Sequence, residues 1–438
     1  MFKKILLIFA LLAVAQSAFA IDKQELNPGF FERFNDNCLN YYINSAIENN
    51  HSAKEAAARV EQYRQQAKYS LGNELPSFSV SANYLGIKVP QLDNFQLKKN
   101  AFILPFMMNY EADFLLKNRD KTRSAKKSYE ASKFEEKAVY LSLLSDVASV
   151  YTDLLEYDQL ITIQKENVDI YTKLLEYESR KFARGVINST QLNNAAKQLE
   201  NAKNSLEKLQ KEQEVLLMQL AVLTGVSPEN AKDFERGNFS SFEYSGTIPE
   251  EIQSDVIFAR PDVMAAETKL EKAKIDIRVA RKEFLPNFNI TGLWVFNTIA
   301  PGTFFSWESS LAAILAGATQ DIFAGGKKVA NLRYQKAKYE ELFENYKQVD
   351  LEAVKEVNTS LCFIKHDSAI EKNTLKTLAY EYNNLSNSKK KLARGTISNP
   401  EYLMNLSEFL KIQNDAVQAK NQRLVNYFTL YKAVGGKL

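Results

Sequence analysis

Lys181-Phe182-Ala183-Arg184-Gly185-Val186-Ile187 returns 210 residues later as Lys391-Leu392-Ala393-Arg394-Gly395-Thr396-Ile397, with five of the seven residues identical. The same offset lays Leu75-Pro76-Ser77-Phe78 on Leu285-Pro286-Asn287-Phe288, Val147 on Val357 and Ala56 on Ala266. One offset serving four separate places marks a duplication. The chain reads as two copies of one unit of ~200 residues, expected to be structurally equivalent. That period is too long for an ordinary solenoid.

Each copy leads into its Arg-Gly through a long stretch without backbone breakers. Neither Gly nor Pro occurs in the 66 residues from Arg119 through Arg184, or in the 68 from Lys327 through Arg394. A helix of that length spans roughly 100 Å and must pack along its side rather than inside a globule. Tyr140, Val147, Leu154, Ile161, Val168, Leu175 and Phe182 form an apolar row at strict seven-residue spacing. Leu143, Val150, Tyr157 and Tyr171 add a second row, together a coiled-coil type of seam. In the second copy five of the seven matching positions stay apolar, with Asp350 and Glu371 as exceptions. Gly185 and Gly395 supply the positive φ that ends a helix, so a helical hairpin is expected at each. The return arms read from Thr190 to Leu223 and from Pro400 to Tyr431.

Ahead of each long arm the apolar period changes to two. Phe78, Val80, Ala82 and Tyr84 alternate with Ser77, Ser79, Ser81 and Asn83. Phe106, Met108, Tyr110, Ala112 and Phe114 alternate with Asn109, Glu111 and Asp113. Phe288, Ile290, Trp294 and Phe296 keep the same parity, and Phe305, Trp307 and Leu311 open a less regular fourth strand. Transmembrane β-barrel strands have this length and alternation, with aromatics near their ends. Four strands cannot close such a barrel, whose smallest members have ~8, so several chains must share one.

The N-terminus agrees with export. Lys3 and Lys4 precede an apolar run of ten residues, Ile5 to Val14, and Ala18-Phe19-Ala20 offers a small-residue cleavage site. The expected layout is a signal peptide at 1–20, a first repeat at 21–225, a connecting equatorial segment at 226–256 and a second repeat at 257–438. The first repeat holds a leading helix, strands near 76–90 and 101–115, a long helix near 119–184 and a return helix near 190–224. The second holds a helix near 262–285, strands near 286–299 and 304–323, a long helix near 327–394 and a return helix near 400–433.

Composition excludes other classes. Lys and Arg number 56 against 53 Asp and Glu, and without Lys3 and Lys4 the balance is 54 − 53 = +1. Such a chain has no overall pull on nucleic acid, and no basic cluster with interleaved aromatics stands out. Two His and two Cys are too few for a multi-ligand metal site. No Ser/His/Asp set, paired-carboxylate site or phosphate loop points to an enzyme or to a cofactor. His51 and His366 read as surface or packing residues. Cys38 and Cys362 fall at matched heights on their helices, which leaves a disulfide in an oxidising compartment open. A periplasmic adaptor or coiled-coil scaffold is the alternative to a membrane duct, since adaptors also carry long hairpins.

Three local runs carry a family resemblance. The first is Ala259-Arg260-Pro261-Asp262-Val263 with Ala266, Glu267, Leu270 and Ala273, closing on Phe284-Leu285-Pro286. The second is Asp321-Ile322-Phe323-Ala324-Gly325-Gly326-Lys327, and the third is Leu430-Tyr431-Lys432-Ala433-Val434-Gly435-Gly436. In this order, within a duplication, they resemble the outer membrane factor family of TolC-like efflux and secretion ducts, in the branch serving RND-type pumps. The resemblance implies a mainly α fold with β: a homotrimer whose 12-stranded β-barrel sits in outer-membrane lipid and continues as a 12-helix periplasmic α-barrel. It implies passive conduction and docking, through a periplasmic adaptor, with an inner-membrane pump. The adaptor-facing tips would be Arg184, Gly185 and Val186, and Arg394, Gly395 and Thr396. The family's periplasmic constriction falls on Glu401, whose other reading is a helix-start carboxylate favoured by the helix dipole. The next acidic position of the family falls on Met404, and Gln191 is the counterpart in the first copy. Lys117-Asn118 is expected to stand where the second copy has Gly325-Gly326. Unlike many members of that branch, the chain does not look lipidated at an N-terminal Cys.

Overall fold

A computed structural model of the chain describes residues 26–438 apart from 93–94, 250, 299–306 and 308–309, and leaves the side chains of 87–101 and 297–298 undescribed. The expected signal peptide and Phe305 therefore lie outside the described residues. The main elements in order are α1 (Asn37–Asn49), α2 (His51–Gly72), β1 (Ser77–Val80), β2 (Asn83–Leu92), β3 (Phe95–Glu111), α3 (Lys117–Ala183) and α4 (Ser189–Leu223). They continue with α5 (Pro261–Lys282), β4 (Asn287–Thr298), β5 (Ser310–Thr319), α6 (Lys327–Ala393) and α7 (Asn399–Ala433). The helix bounds repeat at the sequence offset. α3 and α6 both run for 67 residues, α4 and α7 both for 35, and α2 and α5 both for 22.

The chain divides into two compact units. One comprises the described parts of Met1–Ala58 with Glu135–Pro261 and Asp350–Leu438. Its core is aromatic: Phe30, Phe31, Phe34, Phe242, Phe428 and Tyr431 are fully buried. Phe30 stacks on Tyr431 with ring centroids 4.9 Å apart, and Phe34 stacks on Phe242 at 5.2 Å. Asp36 caps α1 by accepting from the Leu39 N–H at 2.9 Å and also accepts from the Tyr151 hydroxyl at 3.0 Å. That hydroxyl in turn accepts from the Gly237 N–H at 2.9 Å. Residues 226–256 are thus more than a connector, since Phe239 and Phe242 from this segment are buried and Phe242 belongs to the same core.

Within this unit the arms form a layer in the order α4, α3, α7, α6. Gln164 of α3 donates to the Ala202 carbonyl of α4 at 2.8 Å. Ser407 of α7 donates to Asn167 of α3 at 2.8 Å, and Asn405 of α7 donates to Ser388 of α6 at 3.0 Å. Ile163, Ile170 and Leu174 meet Leu403 and Leu410 in the seam between α3 and α7. The seven-residue row behaves differently from its reading as one continuous buried seam. Tyr140, Val147, Leu154 and Ile161 are buried, but Val168 and Leu175 are half-buried and Phe182 is exposed. A strict seven-residue row drifts by about 20° per heptad on a straight helix, so six steps carry it off the packed face. One window of α3 is as apolar as a membrane span, yet 67% of it is buried within the protein.

The second unit comprises Arg59–Phe134 and Asp262–Val349 and carries the sheet. Strand order is β1-β3-β4-β5, antiparallel throughout, with β2 also on β3. β1 and β2 are one strand path: Val80 lies opposite Phe106 and Asn83 opposite Ile103, three residues further along both strands, so the break leaves the register unshifted. The alternation read from the sequence is the sheet's two-faced pattern. Phe78, Met108 and Gly292 share a face, as do Val80, Phe106, Trp294 and Ala312. The other face carries Ser77, Asn109 and Thr291. Among the described residues, β1, β2 and β5 each pair along one edge only.

One alignment changes. Because α3 starts at Lys117 and α6 at Lys327, Gly325-Gly326 match Leu115-Leu116 rather than Lys117-Asn118. Leu116 holds φ 56°, a left-handed turn like Gly325 at 58° and Gly326 at 77°. Lys117 instead reaches Asn287 at 2.5 Å and Glu111 at 2.8 Å.

Candidate functional site

The two hairpin tips are built alike from unlike neighbours. At the first, Gly185 holds φ 71°, its N–H donates to the Phe182 carbonyl at 2.9 Å, and the Val186 N–H donates to Lys181 at 3.0 Å. At the second, Gly395 holds φ 71°, its N–H donates to Leu392 at 3.0 Å, and the Thr396 N–H donates to Lys391 at 3.0 Å. Both are left-handed helix stops closed by paired backbone bonds. The restarts differ in chemistry. Asn188 and Gln191 form a reciprocal capping box, with bonds of 3.0 and 3.2 Å. Ser398 accepts from the Glu401 N–H at 3.4 Å, and Pro400 occupies the first turn.

Arg184, Gly185, Val186, Arg394, Gly395 and Thr396 are all exposed, and a Cβ at either glycine would meet nothing within 4 Å. A rigid, solvent-facing turn with an Arg beside it suits contact with another macromolecule and offers no concave chemistry. Glu401 lies at the third position of α7 and is exposed, as are Met404 and Gln191. Leu403, beside them, packs into the seam with Ile170 and Leu174, which fixes the start of α7 against the last turns of α3.

A second set of residues was not singled out by its spacing. Asp153 and Glu156 of α3 both accept from the side-chain amide of Asn421 in α7, at 2.7 and 2.6 Å. Glu156 is 8% exposed, and burial next to the Asp153 carboxylate pushes its pKa up to about 8. Burial raises Asp153 as well. Two carboxylates three apart on a helix are common on solvated faces, so only the fold reveals that these are buried. The cations flanking Asn421 are taken up elsewhere: Arg423 pairs with Glu371 at 2.5 Å and Lys420 with Glu243 at 3.1 Å.

The Arg-Pro run has a structural role. Arg260 is 6% exposed, donates to the Ala433 carbonyl at 2.9 Å and pairs with Glu356 at 2.7 Å. It therefore closes the C-terminal end of α7, where Gly435 and Gly436 turn the chain with φ 65° and 79°. Cys38 and Cys362 are both free thiols, so the pairing left open by the sequence is not made.

The profile of the outer membrane efflux protein family matches the chain twice, at residues 42–226 and 254–436. The probable outer membrane lipoprotein SilC of Salmonella typhimurium is 24% identical over 431 residues, covering 95% of this chain and 92% of that protein. The cation efflux system protein CusC of Escherichia coli K12 is 24% identical over 411 residues, covering 94% and 89%. In structure, the CmeC outer membrane channel of Campylobacter jejuni superposes with a TM-score of 0.86 at 24% identity, covering 94% of this chain and 88% of that one. The open state of the MtrE outer membrane channel of Neisseria gonorrhoeae gives 0.80 at 23% identity, covering 91% and 89%. With both halves matched by one profile, and the duplicated helix–strand architecture shared with solved channels, this chain belongs to the outer membrane efflux protein family.

Proposed function

We propose that the chain is the exit duct of a tripartite efflux system: a homotrimer that spans the outer membrane and reaches into the periplasm. The observation that carries this reading is the open sheet. Its apolar face bears Phe78, Phe106, Ile290 and Trp294, and its outer strands keep one unpaired edge each among the described residues. Unpaired backbone in lipid costs several kcal/mol per group, so the edges need partners. Three copies would supply 12 strands, enough for a closed membrane barrel. The helical layer is open in the same sense, because α4 exposes Val215 and Val222 and α6 exposes Ile370, Tyr380 and Tyr382. Identical neighbours would bury both sides.

In this reading the tips at Gly185 and Gly395 meet the periplasmic adaptor, and an inner-membrane pump, RND-type by the resemblance, drives transport. The duct conducts passively, without catalysis. The chain is exported through its N-terminal signal. Membership of the efflux family removes the adaptor and scaffold alternative. Cargo follows the pump, and the cation efflux named for CusC makes metal ions one class to test.

The test is closure. In a chain with Cys38 and Cys362 replaced by Ser, a panel of cysteine pairs joining β1 (Ser77, Ser79) to β5 (Ala313, Leu315) is oxidised in intact cells. Trimers on non-reducing gels are expected. Monomers alone across the whole panel, with the protein extracting among soluble periplasmic contents, would overturn the proposal.

A further inference from the structure

Four helix ends meet one end of the sheet. α2 leads into β1, β3 leads into α3, α5 leads into β4 and β5 leads into α6. The antiparallel register puts these strand ends together: Ser77 faces Asn109, Glu111 faces Asn289, and Asn287 faces Thr319. The last seven residues of α2 and α5 and the first seven of α3 and α6 hold eleven Lys and Arg and two Asp, and the turns joining them to the strands add Glu74, Asp113, Glu283 and Asp321, a net of eleven less six, or +5. The chain without its leader lysines carries only +1, so this collar concentrates positive charge that the remainder offsets.

Part of the charge is paired: Lys117 meets Glu111 at 2.8 Å and Lys328 meets Asp321 at 3.2 Å. Asp120 is shared by three cations, at 2.7 Å from Lys282, 3.2 Å from Arg123 and 3.7 Å from Arg278. Asp276 is taken by Lys272 at 2.6 Å and by the Ser124 hydroxyl at 2.5 Å. Arg119, Lys121, Arg281, Lys327 and Arg333 are exposed and make no ion pair among the described residues. Nor does helix stability account for them. Cations at the N-terminal ends of α3 and α6 oppose the helix dipole, which favours acidic residues there, and α6 has none in its first turn. Large apolar side chains sit in the same band: Phe114, Ile322 and Phe323 are 73%, 99% and 88% exposed. Apolar groups beside unpaired cations, next to a sheet with a lipid-type face, are what a membrane–water interface selects.

We propose that this collar docks the anionic phosphate headgroups of the phospholipids in the leaflet nearest the helices. The inference rests on the reading that the sheet spans a bilayer and adds a lipid selectivity to it. Each Lys or Arg held at an anionic surface strengthens binding by about fivefold. The acyl chains would lie against the apolar sheet face, while the phosphates meet Arg119, Lys121, Arg281 and Arg333.

The test uses the purified, assembled channel and lipids that differ only in headgroup. Phosphatidylglycerol and phosphatidylcholine of identical chains are added, and retained lipids are counted by native mass spectrometry. The wild type is expected to retain phosphatidylglycerol in preference. A combined Arg119→Gln, Lys121→Gln, Arg281→Gln and Arg333→Gln variant should lose that preference by about tenfold or more, while still fractionating with the outer membrane. Equal retention of both lipids by the wild type overturns the proposal. So does complete displacement of phosphatidylglycerol by inorganic phosphate, which would make the collar a site for free anions. Unchanged lipid retention with altered anion conductance in the variant would put the collar on the lumen and also overturn it. In all three cases the membrane-spanning reading stands. That reading fails separately if wild-type protein does not fractionate with membrane at all.

Discussion

The side-chain amide of Asn50 donates to the carbonyl of Leu223 at 2.9 Å. Its counterpart 210 residues on, Arg260, donates to Ala433 at the same distance, and Leu223 and Ala433 are themselves counterparts. The duplication has thus kept an interaction while changing the residue that makes it. Each side chain closes the last turn of a return helix whose stop is Gly225 or Gly435.

The two closures differ in cost of removal. Asn50 also caps α2 by accepting from the Ala53 N–H at 3.0 Å, so Asn50→Ala is expected to lose about 1–2 kcal/mol. Arg260→Ala removes a charged donor and strands the Ala433 carbonyl, for a loss of about 2–3 kcal/mol. Thermal unfolding of the helical signal in detergent should rank Arg260→Ala below Asn50→Ala. The reverse order would show that the guanidinium contributes little beyond its pair with half-exposed Glu356.

Gly185 and Gly225 share a left-handed backbone, at φ 71° and 73°, but not their surroundings. A Cβ at Gly185 meets nothing, so Gly185→Ala is expected to cost only the strain of the turn, about 1–2 kcal/mol. A Cβ at Gly225 would lie 2.5 Å from the Asn49 carbonyl oxygen, and backbone cannot give way as a side chain would. Gly225→Ala should therefore sharply reduce folded protein in the membrane while Gly185→Ala accumulates normally. Equal accumulation of the two would refute the crowding read at Gly225.

The Asp153–Glu156–Asn421 cluster sets a pH dependence. Glu156 rises from 4.5 to about 8 in the folded chain, so the folded state holds a proton that the unfolded state has released. Its contribution to stability is full below about pH 4.5 and is lost as pH rises through about 8. Resistance to urea should fall over that window in the wild type. Glu156→Gln keeps an uncharged partner for Asn421 and should flatten the slope. An unchanged slope in the variant would assign the effect to other groups.

The sequence carried the periodic features of this fold and missed those that depend on burial. Long breaker-free runs, Arg-Gly stops and two-residue alternation are local patterns, and they set α3, α6, both tips and the sheet faces. The seven-residue row misled beyond Ile161, because a strict heptad drifts off the face of a straight helix. The match of Lys117-Asn118 to Gly325-Gly326 failed because Leu116 makes with a side chain the turn that glycine makes in the second copy. Glu156 and Asp153 looked like any solvated pair, and the +5 collar is spread over four separated segments that only the strand register brings to one end.

Glu401 distinguishes two physical accounts of the start of α7. As the third helical residue its carboxylate is favoured by the helix dipole, worth about 0.3–1 kcal/mol, and that effect needs no pore. As one of three symmetry-related carboxylates around a constriction it would repel its copies and attract cations. Glu401→Gln separates these, because it keeps size and hydrogen bonding while removing charge. In planar bilayers the proposed ring predicts that the ratio of cation to anion permeability falls in the variant. The fall should shrink as salt rises towards 1 M, where charges are screened beyond about 3 Å. Thermal stability should change by no more than the dipole contribution. A lower melting temperature with unaltered ion selectivity would leave Glu401 as a helix-start residue and move the constriction elsewhere. Met404, one turn on and also exposed, sets the control. Met404→Glu adds a second carboxylate to the same turn, so it should raise cation selectivity if Glu401 faces the lumen and leave it unchanged if this turn faces away.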